Sequence, residues 1–436
     1  MSLRQLFQNH IQVLQQRTDA ILEELQLEAL VIDAGSPQFF FEDDAEMKFR
    51  SNHHFRYWCP IEGPHHLLKI MPGQKPRLLV YQPADFWYEI KPLEPEFWTD
   101  SFTIEVYTDV QELWKAIDPK VRWAYHGPQR EEALAAGLLV DAPGLLPQLN
   151  WSRLCKTGYE QQCMADATRI AAKGHKAAER CFHQGGSELD IHFAYLNAVR
   201  CREQDLPYES IICLNEKAAF LHYSAKRDDV HNGRVLLIDA GAGMRGYASD
   251  ITRTYATEDA PEEFRSLLAD LAMMQQSICA SMKPGEQMNN LHYNAHQRIA
   301  ALLLQHRLIV NCSAEHVLER GYTSAFFPHG LGHMLGIFVH DVAGKQIDKT
   351  GRTGESDPRF PFLRALLPLQ EGMCVTIEPG LYFIKMLLDP FRSGEHHDYF
   401  NWSLIERLMP CGGIRIEDNI LIMADRIRNL TREYLP

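Results

Sequence analysis

The sequence predicts a two-domain α/β protein, and three observations carry that reading. At 436 residues with an apolar fraction of 45%, the chain is longer than one simple core accommodates. In its first third, compact apolar runs alternate with helical or polar stretches. Near Thr157 the pattern changes, as the Ala-, Gln-, Glu- and Lys-rich segment KTGYEQQCMADATRIAAKGHKAAERCF introduces strands that carry polar residues inside apolar runs. The expected domains are residues 1–155 and 156–436.

The elements follow in order. Leu6, Ile11, Leu14, Ile21, Leu22 and Leu25 recur on one side of an opening helix. LEALVIDAG, RLLVYQP at 77–83 and VRWAYHGP at 121–128 read as strands ending in turn residues. The segment from Lys156 to Phe182 reads as a long helix, and two more fall around 261–283 and 289–306. The Gly-, Pro- and charge-rich stretch 344–362 exceeds ordinary loop length and is expected to be mobile or to lie at a functional rim.

Composition excludes several classes. With 44 Lys and Arg against 57 Asp and Glu, the net charge is −13 and no basic block occurs, so no nucleic-acid partner is expected. Ten cysteines are scattered without a CxxC pair, the pattern of reduced thiols in a cytoplasmic protein. The N-terminus lacks a signal-peptide core, and the apolar run at 300–310 is broken by Gln305, His306 and Arg307. Neither export nor a membrane span is expected.

Chemistry enters through misplaced acids. RVLLIDAGAGMRGYASDITRTY carries Asp239 at a strand end and Asp250 beyond a glycine turn; a hairpin closing at Met244–Gly246 brings the two carboxylates side by side. Their repulsion opposes that arrangement unless a cation intervenes. In MCVTIEPGLYF strand alternation sets Thr376 and Glu378 against Val375 and Ile377, and in GGIRIEDNILIM it sets Arg415 and Glu417 against Ile414 and Ile416. A solvated outer face accounts for any one such strand; the conjunction asks for more.

FFPHGLGHMLGIFVHD, residues 326–341, adds His329, His333 and His340. The spacer Gly330-Leu331-Gly332 disfavours a helix by about 1 kcal/mol per Gly, so a strand or irregular loop is expected. If His333 joins Asp239, Asp250, Glu378 and Glu417, four carboxylates offset two divalent ions, with a bridging hydroxide between them as two-metal hydrolases require. An oxygen-rich set with one imidazole and no thiolate favours Mn²⁺ or a similar ion, Co²⁺ or Zn²⁺ included.

DAGA with SDITRT, then FFPHGLGH and VHD, TIEPGLYF and GGIRIEDN, in this order, resemble the metal-dependent pita-bread peptidases that include methionine aminopeptidase, aminopeptidase P and prolidase. The likeness to the bacterial prolidases, or Xaa-Pro dipeptidases, and the related organophosphorus acid anhydrolases spans nearly the whole chain, including NHIQVLQQRT, FWTDSF, PYESIICLNEKAAFLHY, HDVAG and FNWSLIE. It implies an N-terminal α/β domain followed by a creatinase/aminopeptidase-like catalytic domain with a curved antiparallel sheet, metals on its inner face. It also implies an Xaa-Pro dipeptide substrate and a homodimer.

By that resemblance, the metal ligands are Asp239, Asp250, His333, Glu378 and Glu417, with Glu378 also the proton acceptor. His340 and His222 are non-ligand histidines that hydrogen-bond the substrate, His329 and Tyr208 line its pocket, and Arg364 pairs with its terminal carboxylate. Arg415 and Thr252 support the ligands from behind. Leu367 and Glu371 depart from relatives that carry a second Arg and a Pro there, which affects loop shape and carboxylate affinity. Phe39 to Asp44 resembles a loop that reaches a partner's active site, with Asp43 and Asp44 at its tip. The alternatives are aminopeptidase P acting on longer Xaa-Pro peptides, organophosphorus hydrolysis as a side activity, and a metal-free binding module on the same fold.

Overall fold

A computed structural model describes residues 1–436, and the chain divides into two compact units: Met1–Gln162 with Asp348–Arg352, and Cys163–Ile347 with Thr353–Pro436. In the first, the helix Leu3–Glu24 starts at Ser2, whose hydroxyl accepts from the Gln5 N–H, and it buries Phe7, Ile11, Leu14, Ile21 and Leu22, the face that periodicity selects. A six-stranded sheet runs in the order β4-β3-β2-β1-β5-β6, formed by β1 (Ala29–Asp33), β2 (Leu67–Ile70), β3 (Arg77–Tyr81), β4 (Thr103–Tyr107), β5 (Trp123–His126) and β6 (Leu139–Val140). Every residue of β1 is buried, which is why LEALVIDAG reads as a continuous apolar run.

The second unit begins within the long helix Gly158–His183. Its sheets are antiparallel. One has the order β11-β8-β7, from β7 (Ile211–Leu214), β8 (Val235–Asp239) and β11 (Thr252–Ala256). Between β8 and β11 the chain forms the expected hairpin, tipped by β9 (Gly243–Met244) and β10 (Tyr247–Ala248). Its turn has Arg245 and Gly246 at φ of 50° and 89°, a mirror-type turn matching strand twist. The register places Asp239 opposite Thr252.

The other strands are β12 (Cys374–Ile377), β13 (Gly380–Tyr382), β14 (Gly413–Arg415), β15 (Asp418–Ile422) and β16 (Ile427–Asn429), with β12-β15-β16 in one sheet and β13-β14 paired. Alternation along MCVTIEPGLYF and GGIRIEDNILIM misdescribes these segments. All residues of β12, β13, β14 and β15 are buried, so none of these four strands has a solvated face. Glu378 and Glu417 instead lie in the breaks between paired strands. Pro379 offers no N–H to continue β12, and the Glu417 N–H leaves its neighbours to donate to the Thr252 carbonyl at 3.0 Å. That bridge brings the start of β11 to the gap between β14 and β15.

Helices Glu262–Ser281 and Met288–Gln305 pack their apolar faces inward, as expected near 261–283 and 289–306.

Candidate active site

The position of the histidine loop is decided by its glycines. A Cβ on Gly332 would lie 1.9 Å from the Thr376 carbonyl oxygen, so only a bare backbone can come this close to β12. The loop then pairs with the strand: Thr376 N–H donates to the His333 carbonyl at 2.9 Å, Glu378 N–H to Leu331 at 2.7 Å and Leu335 N–H to Cys374 at 2.9 Å. This irregular, extended geometry is the expected alternative to a helix. It sets the His333 ring beside Glu378.

His333 Nδ1–H donates to the Met334 carbonyl at 3.0 Å, which turns Nε2 toward the acids. Nε2 lies 3.4 Å from Asp250 Oδ2, 3.6 Å from Glu378 Oε1 and 3.9 Å from Glu417 Oε1. The candidate ligand atoms of Asp250, His333 and Glu417 all lie within 4.8 Å of one another, and all three residues are buried. Asp239 joins them through Tyr208, whose hydroxyl is 2.7 Å from Asp239 Oδ1 and 2.6 Å from Asp250 Oδ1. Five side chains from separate stretches of the chain therefore meet in one place.

Their electrostatics is lopsided. Burial, then the charge of Asp250, raises Asp239 to about 6, and burial raises Glu378 to about 7 against the pull of His333 and Arg415. Glu417 is pushed well above the carboxylate range by burial and by Asp250, Glu378 and Asp239. Asp250 goes the other way: burial raises it, but the hydrogen bond and charge of His333, the Tyr208 hydroxyl and His340 together bring it below the ordinary carboxylate value. Four acids face one imidazole and one guanidinium. Oxygen donors in excess of local positive charge, with an imidazole lone pair aimed among them, fit divalent cations of the Mn²⁺ type.

Behind the acids, Arg415 Nη2 meets Asp239 Oδ2 at 2.7 Å, Nε donates to Thr252 Oγ1 at 3.2 Å, and Thr252 passes its own proton to Glu417 Oε2 at 2.7 Å. Arg415 Nη1 also donates to the Tyr382 hydroxyl at 3.0 Å, and that oxygen lies 2.8 Å from His329 Nε2. His329 Nδ1–H points to the Gly330 carbonyl at 2.9 Å and stands 3.6 Å from Glu378 Oε2. Nε2 is therefore the acceptor, and Tyr382 donates to it. Burial and Arg415 push His329 down to about 3, which keeps it neutral.

A cavity of about 1360 Å³ opens over this cluster, lined by Asp239, Asp250, His333, Glu378 and Glu417 together with His222, His329, His340 and Arg364. His340 stands edge-on to His333, ring centroids 4.3 Å apart, and its Nδ1 accepts from Arg364 Nη1 at 3.1 Å. Burial, then His333 and Arg364, lowers His340 to about 4, so its Nε2–H is a neutral donor free to face the cavity. Tyr208, expected as a pocket wall, gives its hydroxyl to Asp239 and Asp250, two residues of the cavity lining. Lys345, Pro361 and Phe362 do line the cavity, so the long 344–362 stretch supplies its rim.

Tyr382 has no counterpart among the residues picked from sequence. The available signal was its place three residues after Pro379, where an aromatic hydroxyl on a buried strand must find a partner.

Residues 162–424 match metallopeptidase family M24, and residues 5–151 match the Xaa-Pro dipeptidase N-terminal domain. Xaa-Pro dipeptidases of Yersinia pestis (strain Pestoides F) and Yersinia pseudotuberculosis serotype O:1b (strain IP 31758) are each 41% identical over 438 residues, covering 99% of this chain and 99% of theirs. Among solved structures, proline aminopeptidase P II from Yersinia pestis superposes with a TM-score of 0.72 at 23% identity, covering 100% of this chain and 97% of that one. Aminopeptidase P from E. coli with the inhibitor Pro-Leu gives 0.73 at 20% identity, covering 100% and 96%. At these identities the structures speak for the shared fold.

Proposed function

The chain belongs to metallopeptidase family M24, among its Xaa-Pro dipeptidases, and on that premise we propose that it hydrolyses the Xaa-Pro bond of dipeptides using two divalent ions, Mn²⁺ foremost. Asp239, Asp250, His333, Glu378 and Glu417 would hold them. The observation that carries this reading is the meeting of those five side chains in one wall of a cavity that also contains Arg364. Lewis-acid polarisation of the scissile carbonyl and activation of water are the chemistry such ions supply when bound.

The chain's own groups do the rest. Glu378 accepts the proton of the attacking water and returns it to the departing proline nitrogen. His340 offers Nε2–H to the oxygen on which negative charge develops, and His222, on the cavity lining, supplies a second imidazole to the substrate. Arg364 takes the free carboxylate in its planar fork. Arg415 and Thr252 hold Asp239 and Glu417 in register, and His329, fixed by Tyr382, aims Nδ1–H at Gly330 and Glu378.

The bond before proline is a tertiary amide without an N–H, so a site that clamps backbone N–H groups loses its hold there. A site that reads the carboxylate does not. Release of proline from Leu-Pro or Ala-Pro after chelation and Mn²⁺ addition tests the reading, with Xaa-Pro-Ala as comparison. Dipeptide cleavage restored by metal with the tripeptide untouched supports it; no cleavage of either overturns it. The cavity exceeds the usual small-ligand range of about 300–1,000 Å³, which favours aminopeptidase P activity as the second reading, and preferred tripeptide cleavage would select it.

We further propose a homodimer. The loops after β1 and β3 expose Phe41 at 89% and Phe86 and Trp87 at 85% and 79%. Both strands run antiparallel to β2, so the two loops leave the same end of the sheet, and a second copy is the surface that covers such aromatics. Asp43 and Asp44 follow on the first loop. Light scattering of the wild type and of Trp87→Asp tests this: a monomeric wild type sinks it. A reducing, cytoplasmic setting agrees with ten free cysteines, and no helix is long and apolar enough to cross a membrane.

A further inference from the structure

Four cationic side chains line the cavity: Lys345, Arg364, Lys385 and Arg415. Two of them have carboxylate partners. Arg415 Nη2 lies 2.7 Å from Asp239 Oδ2, and Lys385 Nζ lies 2.5 Å from Asp389 Oδ2. Arg364 donates to the neutral imidazole of His340 at 3.1 Å, and neither Arg364 nor Lys345 faces a carboxylate of the protein. Two positive charges are thus left unspent in the lining of a cavity that also contains Asp239, Asp250, Glu378 and Glu417.

The backbone puts these two together. The Leu366 N–H donates to the Gly344 carbonyl at 2.9 Å, and the Gly354 N–H donates to the Lys345 carbonyl at 2.8 Å. A Cβ on Gly344 would stand 2.5 Å from the Arg364 carbonyl oxygen, so the chain just before Lys345 lies directly against Arg364. The lining also includes the apolar side chains Phe220, Leu221, Phe383, Ile384 and Leu387. An anionic substrate end is repelled by the acids, gains nothing from the apolar side chains, and finds opposite charge at Lys345 and Arg364.

We propose that Lys345 is a second cation for the substrate's free α-carboxylate, forming with Arg364 a pair that determines specificity for chains ending at proline. This rests on the dipeptidase reading above. The Arg364 fork binds both carboxylate oxygens in its plane, and the Lys345 ammonium, a point charge on a flexible stem, takes a remaining lone pair. Lys345 also occupies a loop three residues before the segment Asp348–Arg352, so its position is set by backbone bonding rather than by a regular element.

The experiment compares wild type, Lys345→Met and Lys345→Arg at fixed Mn²⁺, measuring Leu-Pro hydrolysis and competitive inhibition by proline and by prolinamide. Lys345→Met is expected to raise both the KM for Leu-Pro and the inhibition constant of proline by roughly 3- to 10-fold, the scale of a solvent-exposed charge pair, with kcat within about twofold. Prolinamide inhibition is unchanged, Lys345→Arg restores proline binding, and the Met defect shrinks at high salt. An unchanged KM and proline inhibition constant in Lys345→Met overturns the proposal, as does an equal loss toward prolinamide, which marks a structural effect. A wild type that cleaves no Leu-Pro refutes the dipeptidase reading itself and this inference with it.

Discussion

Glu417 and Asp418 adjoin in sequence at the start of β15, both buried, and face opposite surroundings. Asp418 receives Arg253 Nη2 and Arg432 Nε at 2.8 Å each and Asn429 Nδ2 at 2.9 Å. Burial works against its charge, yet the two guanidinium groups hold its carboxyl below the usual range. Glu417 receives the Thr252 hydroxyl and has His333 Nε2 3.9 Å away, but burial and the charges of Asp250, Glu378 and Asp239 drive its carboxyl upward. The chain supplies counter-charge within itself where an acid is structural. Where it withholds that charge, the acid is kept for a cation from outside.

The sharpest way to break this comparison is Asp250→Asn. It leaves shape intact and removes one negative charge from the unbalanced side, and we expect activity to fall at least on the order of 10²-fold, several kcal/mol of lost charge stabilisation. Elemental analysis of the metal-loaded protein should show reduced metal content with an unchanged circular dichroism spectrum. Full activity with full metal content would erase the distinction.

Arg253→Met probes the balanced side. Removing one partner strands Asp418 among buried groups, and unfolding free energy in urea is expected to drop by about 3 kcal/mol. Glu417→Gln, measured in chelator, is expected to move in the opposite direction, because it removes a buried charge with no cation to meet it. Equal destabilisation by both substitutions would mean that the two sides are energetically alike.

Thr252→Val sharpens the same contrast. It deletes the hydroxyl that orients Glu417 and accepts from Arg415 Nε. Loss of such a supporting bond is expected to weaken metal affinity by about 10-fold, seen as a shift in the Mn²⁺ concentration that restores activity after chelation.

His10 shows a third way to bury a polar group, by neutralising it. Nε2–H donates to the Tyr57 carbonyl at 2.8 Å and Nδ1 accepts from Thr157 Oγ1 at 2.8 Å, with Arg17 and Glu160 as the nearby charges. Burial lowers its pKa to about 3, while the unfolded chain titrates near 6.5. Between those values the unfolded state binds a proton that the folded state refuses. The contribution is complete above the unfolded pKa and is lost as pH falls below it, with a slope of at most about 1.4 kcal/mol per pH unit. His10→Gln should flatten the acid limb of stability against pH by up to that amount; an unchanged slope removes His10 from the comparison.

Much of this site was legible because its chemistry breaks a local pattern. Asp239, Asp250, Glu378 and Glu417 stand out in apolar runs, and Gly330 and Gly332 deny His329 and His333 a helix. The breaks at Pro379 and at Glu417 were not legible as such, since alternation describes a strand only while it continues. The hydroxyl bonds of Tyr208, and Tyr382 altogether, were not legible for a different reason. Their importance lies in hydroxyl partners more than thirty residues away, Asp239 and Asp250 for one, Arg415 and His329 for the other. Periodicity reports how a segment is buried, and it carries no record of which distant segment buries it. Lys345 lay in a stretch expected only to be mobile or at a functional rim, and the absence of a partner shows only in three dimensions.

The 1.9 Å separation between a notional Cβ at Gly332 and the Thr376 oxygen has a consequence for heredity. A single methyl group there would lift the loop from β12 and carry the imidazole one position later away from its acids. No codon but those for glycine can occupy this place while the centre survives. A saturation library at residue 332, selected for growth on a proline-containing dipeptide, should therefore return one amino acid, although that residue has no side chain with which to touch metal, water or substrate.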